Sequence, residues 1–194
     1  TCITPDVVGS CSSLKGLVIS NCKKLRHLAY GLDTLPLLEE LTIKGCPSLE
    51  LIQIEQGMAS LQKLEIEDCG RLSHLPSGLK NCTSLQELSI KECDGLLGPL
   101  SLWVSLVEVS IRNCNGISGP LSVWASLMEL QITNCNSLTS IEMKGSVSLT
   151  ASLQKLTIRD CSELASLPAL PQQCPSLQEL EIWECPKLSW FGVK

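Results

Sequence analysis

Residues 61–72 read Leu-Gln-Lys-Leu-Glu-Ile-Glu-Asp-Cys-Gly-Arg-Leu, and this phrase decides the architecture of the chain. Its general form is Leu-x-x-Leu-x-Ile-x-x-Cys, closed by an aliphatic residue three places after the cysteine. The phrase returns along most of the 194 residues, with Val109 and Ile117 as aliphatic replacements in one copy. Its first leucines are Leu14, Leu38, Leu61, Leu85, Leu106, Leu127, Leu153 and Leu177. We therefore predict one structural unit per phrase, stacked in chain order.

Successive first leucines are 24, 23, 24, 21, 21, 26 and 24 residues apart, and a period in the twenties with this phrase is typical of leucine-rich repeats. We predict an α/β solenoid, a horseshoe with a parallel concave β-sheet, irregular convex arms and little helix. Residues 1–13 would form a partial N-terminal repeat, 14–188 eight repeats and 189–194 the C-terminal end. Because the pattern is already under way at Thr1-Cys2-Ile3, we expect a piece of a longer protein.

Within each phrase, Leu-x-Ile should form a short strand whose second leucine and isoleucine point inward while their neighbours point outward. The outward positions then line up as columns across the repeats. One column reads Ser20, Lys44, Glu67, Lys91, Arg112, Thr133, Arg159 and Trp183. Two interpretations stay open: a solvated face whose opposite charges pair weakly, or a partner-binding surface anchored by an exposed tryptophan. The candidate binding residues are Lys44, Glu67, Lys91, Arg112, Arg159, Glu181 and Trp183.

The chain has twelve cysteines, and eight of them hold one fixed place in the phrase. A thiol can act there as a small buried residue that hydrogen-bonds weakly to backbone. Cys11, Cys82 and Cys174 belong to a second column, three places before the first leucine, which also holds Trp103 and Trp124 and should pack in the core. We interpret the cysteines as reduced and structural rather than as disulfides or metal ligands. So many free thiols indicate a reducing, intracellular setting.

Composition and motifs argue against several functional classes. The net charge of −5 is spread along the chain, so we expect neither nucleic-acid binding nor attraction to an anionic membrane. His27 and His74 occupy equivalent places in their repeats, which explains them without catalysis. Neither Gly-x-x-x-x-Gly-Lys nor Gly-x-Gly-x-x-Gly is present, so no phosphate-binding loop can be argued. We predict a protein without enzyme activity, cofactor or metal.

The amino-acid sequences of three repeats indicate a family more specifically than the repeat period does. Residues 60–79, 152–168 and 176–188 share Ser-Leu-Gln followed by the Leu-x-Ile-x-x-Cys core, and the first two continue into Leu-Pro arms. This sequence pattern resembles the C-terminal leucine-rich repeats of plant intracellular nucleotide-binding immune receptors. The resemblance implies a cytoplasmic module that binds pathogen effectors, host proteins or the receptor's own nucleotide-binding module, the last contributing to autoinhibition.

Two natural alternatives to this family stay open. The cysteine pattern is also similar to F-box substrate receptors of ubiquitin ligases. The Gly-Pro-Leu segments at 98–100 and 119–121 are similar to plant cell-surface receptors. A designed consensus array is disfavoured because the spacing is irregular. In every case the exposed ends of the solenoid could support self-association.

Overall fold

The structure is a computed structural model, and it describes residues 11–28, 31–103, 105–124, 126–144 and 152–189. Most of the predicted partial N-terminal repeat lies outside these residues. The chain divides into two compact units, residues 1–96 and 97–194. Unit 1 contains β1 (Gly16–Ser20), β2 (His27–Leu28), η1 (Leu32–Thr34), β3 (Glu40–Lys44), β4 (Leu51–Ile52), β5 (Lys63–Glu67), η2 (Ser77–Asn81) and β6 (Glu87–Lys91). Unit 2 contains β7 (Gly98–Ser101), β8 (Glu108–Arg112), β9 (Ile117–Trp124), β10 (Glu129–Thr133), β11 (Leu138–Lys144), β12 (Lys155–Arg159), α1 (Leu170–Gln173) and β13 (Glu179–Trp183).

In both units the Leu-x-Ile segments form parallel main strands. In unit 1 the main strands pair in the order β1-β3-β5-β6, and in unit 2 in the order β8-β10-β12-β13. Equivalent phrase positions lie directly opposite each other, as in Ile43, Ile66 and Ile90. Each unit is therefore a stretch of parallel β-solenoid, and the predicted columns are real rows of neighbouring side chains.

The core of each unit lies behind its main strands. Leu41, Ile43 and Ile66 are fully buried, because alternation along the strand turns every second side chain inward. The last repeat is the exception, since Leu180 is 40% exposed. Inward positions are thus fully covered only where a described repeat stacks on each side.

The segments that connect one main strand to the next, which we call the return arms, are more regular than we predicted. In unit 2, β7, β9 and β11 form a second parallel sheet, and in unit 1 β2 pairs with β4. The Gly-Pro-Leu segments form parts of these strands: Gly98 is the first residue of β7, and Gly119 lies inside β9. The two glycines adopt φ of 86° and 79°, a conformation that glycine tolerates best. Within the described residues, helix is confined to η1, η2 and α1, so the prediction of little helix is confirmed.

The second cysteine column packs as predicted at Cys82 and Cys174, which are 0% and 3% exposed. The prediction was wrong for Cys11, which is exposed at the start of the described residues. Placing Trp124 in the core was wrong, because this residue is 38% exposed. It is the last residue of β9, where alternation turns Val123 inward and the tryptophan outward. Trp103 is only partly buried, and its indole N–H is buried without an acceptor among the described residues.

Candidate functional site

The outer face of the main strands ends in a turn that has the same conformation in every repeat. The residue after each strand adopts the left-handed conformation, with φ between 49° and 60°. These residues are Asn21, Gly45, Asp68, Glu92, Asn113, Asn134, Asp160 and Glu184. Six of these backbone N–H groups bond the next repeat, as Asn21 N does with Lys44 O at 2.9 Å and Asn134 N with Arg159 O at 2.9 Å. The turn therefore continues the hydrogen-bonded stack one residue past the strand.

The cysteine that follows this turn fixes the end of the strand. In all eight repeats its Sγ donates to the carbonyl oxygen of the last strand residue, two positions earlier, at 3.2–3.5 Å. The sulfur thus takes the weak hydrogen-bonding role that the sequence predicted. Because the acceptors belong to the column of Lys44, Lys91, Arg112 and Trp183, the thiols hold the backbone from which the candidate binding residues project.

Burial keeps the central thiols protonated. Desolvation raises the pKa of Cys69 and Cys135 to about 12 and that of Cys161 to about 11. The eleven cysteines in the described ranges are free, and those ranges contain no cluster of three or more metal-binding side chains. These sulfurs therefore pack and hydrogen-bond, and the reactive thiolate form is suppressed.

On unit 1, three candidate residues form one ion-pair network. Glu67 on β5 lies between two lysines, with its carboxylate 2.6 Å from Lys91 Nζ and 3.4 Å from Lys44 Nζ. The Lys91 hydrogen bond is the main reason why the pKa of Glu67 is lowered. Lys44 also contacts Glu65 at 2.9 Å, and Lys91 contacts Glu92 at 3.6 Å. The outer face of unit 1 is thus largely neutralised by its own pairs.

On unit 2, the two candidate arginines differ in whether a carboxylate of this chain pairs with them. Arg159 on β12 pairs with Glu181 on β13 at 2.6 Å, and this hydrogen bond lowers the pKa of Glu181. Arg112 on β8 instead donates to two neutral oxygens, Ser110 Oγ at 3.2 Å and Gln131 Oε1 at 2.5 Å. Among the described residues Arg112 has no carboxylate within ion-pair distance. Its charge is therefore fixed in place but not compensated.

Trp183 ends the last main strand and is 63% exposed. It lies opposite Arg159 in the parallel register, and it adjoins a surface cleft of about 600 Å³. The cleft is lined by Asn136, Asp160, Ser162, Glu184, Cys185 and Pro186. In the described part of the chain neither of its carboxylates, Asp160 and Glu184, forms an ion pair, so two uncompensated negative charges lie in the turns that follow β12 and β13.

The structure groups the sequence-predicted residues by unit. Lys44, Glu67 and Lys91 form one cluster, and Arg159, Glu181 and Trp183 form another on unit 2. Sequence reasoning missed the left-handed turn column, although Asn, Gly or Asp before the cysteine in six repeats was a usable signal. It also missed Ser110 and Gln131 as partners of an arginine, for which the sequence carries no signal.

The two histidines lie on the return arms, away from these clusters. His27 Nε2 is 3.7 Å from Glu50 Oε2, and His74 Nδ1 is 2.7 Å from Ser73 Oγ. Neither contact includes a nucleophile held by a base and a third orienting group, which hydrolytic catalysis requires. What the outer face offers is charge, hydrogen-bonding groups and one exposed indole on a regular backbone, which are the means of binding another molecule.

Comparisons of sequence and structure relate this chain to known proteins. The family model for leucine-rich repeats of RPS2-like plant disease resistance proteins matches residues 3–115. Among solved structures, the leucine-rich repeat domain of the type III effector XopL is similar, with a TM-score of 0.56 and 23% identity. The match covers 92% of this chain and 72% of the effector domain, and at this identity it supports the fold alone. A search of curated proteins found no match. In the described residues no helix has the length and apolarity needed to cross a bilayer.

Proposed function

Since the chain belongs to the leucine-rich repeat family of RPS2-like plant disease resistance proteins, we propose that it is the protein-recognition module of a plant intracellular immune receptor. It binds other proteins through the outer face of its main strands and has no catalytic activity of its own. Its partners are pathogen effectors, host proteins that effectors modify, or the receptor's own nucleotide-binding module. Contact with the last of these would hold the receptor inactive.

The observation that carries this proposal is the contrast between the two faces of the main strands. In each unit the inner face is a largely buried aliphatic core, whereas the outer face presents charged side chains, with Trp183 63% exposed. A large exposed aromatic among charged groups is typical of the few residues that dominate protein-protein affinity. The backbone beneath is held by the thiol and turn columns, so little order has to be imposed when a partner binds.

The cysteines support an intracellular setting. Eleven described thiols are free, and proteins of oxidising compartments normally use cysteines as disulfides. Desolvation protects the buried thiols from ionising, but exposed Cys11 and Cys22 would stay reduced only where reductant is abundant. We therefore place the module in the cytoplasm.

The direct test is a titration of this chain with the nucleotide-binding module encoded by its own gene, followed by calorimetry. A triple charge reversal of Lys91, Arg112 and Arg159 to glutamate should weaken binding at least tenfold, roughly 1.4 kcal/mol. The matched control reverses two cations of the return arms, Arg26 and Lys80. The proposal predicts an unchanged affinity for that control. Equal affinities for the face variant and the wild-type chain would contradict it.

A further inference from the structure

The outer face of unit 2 has an uneven charge distribution that unit 1 lacks. Resting on the proposed function, we propose that unit 2 recognises an extended segment of its partner by two anchors: an acidic residue on Arg112 and an apolar residue on Trp183. The first anchor follows from the arginine's neutral partners. Ser110 and Gln131 orient the guanidinium without cancelling its charge, so a partner carboxylate would find a preorganised cation.

The other cations of the same column serve this purpose less well. Lys44, Lys91 and Arg159 already contact carboxylates of this chain at 2.6–3.4 Å. A partner carboxylate placed there would compete with an existing pair, and the desolvation of both charges would offset the gain. The acidic anchor therefore belongs at Arg112.

The second anchor follows from Trp183 and its surroundings. The indole is 63% exposed, and burying a tryptophan is among the largest single contributions to an interface. The neighbouring Asp160 and Glu184 make no ion pair among the described residues, so they disfavour a carboxylate at this end. The acidic and the apolar anchors cannot exchange places, which gives the partner one orientation.

The spacing of the anchors sets the length of the partner element. Arg112 and Trp183 are in register, joined through Thr133 and Arg159 across four neighbouring strands. Three strand spacings of about 4.8 Å separate the two residues by roughly 14 Å. An extended segment rises about 3.4 Å per residue and returns its side chains to the same face at every second residue, so the two partner residues would be about four positions apart. A helix does not fit this spacing, because roughly nine helical residues would turn the two side chains to opposite faces.

The test is a selection from a phage-displayed library of a β-hairpin scaffold with one face of one strand randomised, using the whole chain as target. Enriched binders should carry Asp or Glu and a large apolar residue about four positions apart on that strand. Arg112→Gln keeps a hydrogen-bonding side chain but removes the charge, and it should weaken binding at least tenfold. Trp183→Ser should do the same. The matched control Arg26→Gln, which removes the charge of an arginine on the return arms, should change affinity less than threefold.

A blocking variant separates this inference from the proposed function. Thr133→Trp places a bulky side chain between the two anchors, on the outer face of β10. Binders that Thr133→Trp blocks but that tolerate Arg112→Gln or Trp183→Ser would overturn the two-anchor inference and leave the face as the binding surface. Binders that tolerate Thr133→Trp as well would contradict both. Each variant's urea midpoint is measured first, so that a loss of binding is not a loss of folding.

Discussion

Truncating Ile66 tests the layered packing that the binding face depends on. Ile66 lies on β5 between β3 and β6 and is 0% exposed. Ile66→Ala removes three carbons, worth about 0.8 kcal/mol each when buried, and leaves a cavity that adds to the loss. We expect the free energy of unfolding to fall by about 3 kcal/mol. With a urea m-value of about 2 kcal/mol/M, the midpoint should fall by roughly 1.5 M.

The matched control lies on the opposite side of the main strands in the same unit. Val18 is on β1, and its side chain is 68% exposed, so Val18→Ala should change the free energy of unfolding by less than about 0.5 kcal/mol. Both variants are unfolded in urea and followed by far-UV circular dichroism. The reasoning fails if the two truncations cost the same, or if Ile66→Ala leaves the midpoint where it was. Either result would mean that strand alternation does not separate a core face from a binding face.

Three further predictions follow from the turns and side chains behind the face. Unfolded thiols ionise near pH 8.5, whereas the three most shifted folded thiols keep their protons to a pKa of about 11 or 12. The free energy of unfolding should therefore fall above about pH 9, by about 1.4 kcal/mol per pH unit for each thiol. When these three cysteines are replaced by alanine, the urea midpoint should fall less steeply as the pH rises. Glu92→Gly should raise the free energy of unfolding by about 0.5–1 kcal/mol because φ is 54° at this residue. The control Glu87→Gly, in extended β6, should lower it. Urea midpoints that move in the opposite directions would contradict the turn assignment. Trp103→Phe should change the melting temperature less than an ordinary core truncation, because it removes a buried N–H without an acceptor among the described residues, and a loss comparable to that of Ile66→Ala would show that the N–H is bonded.

The sequence predicted the main strands, their register and their buried residues because one motif repeats with fixed spacing inside it. The same logic failed where the chain departs from the motif. The Gly-Pro-Leu arms were too short for a helix, and the sequence held no sign that they would pair with each other as β7 and β9, or that β11 would pair with β9. Trp124 was misplaced for the same reason, since its direction is set by the alternation of β9.

The candidate site was predictable in position but not in charge. The outward column containing Lys44, Arg112 and Trp183 followed from period and alternation alone. Which cation is compensated depends on side-chain reach across neighbouring strands. Arg159 reaches Glu181, whereas Arg112 reaches Gln131. A one-dimensional pattern does not contain that choice, because it needs the coordinates of the neighbouring strand.

Thiol labelling along the chain tests most directly whether the repeats stack behind the outer face. The reduced protein is treated with iodoacetamide, and modification of each cysteine is followed by peptide mass spectrometry with and without urea. Exposed Cys11 and Cys22 should react within the first time points. Cys46, Cys69 and Cys135, which are 0–1% exposed, should stay unmodified until the chain unfolds. Modification of these three at the rate of Cys22 in the absence of urea would contradict the stacked core.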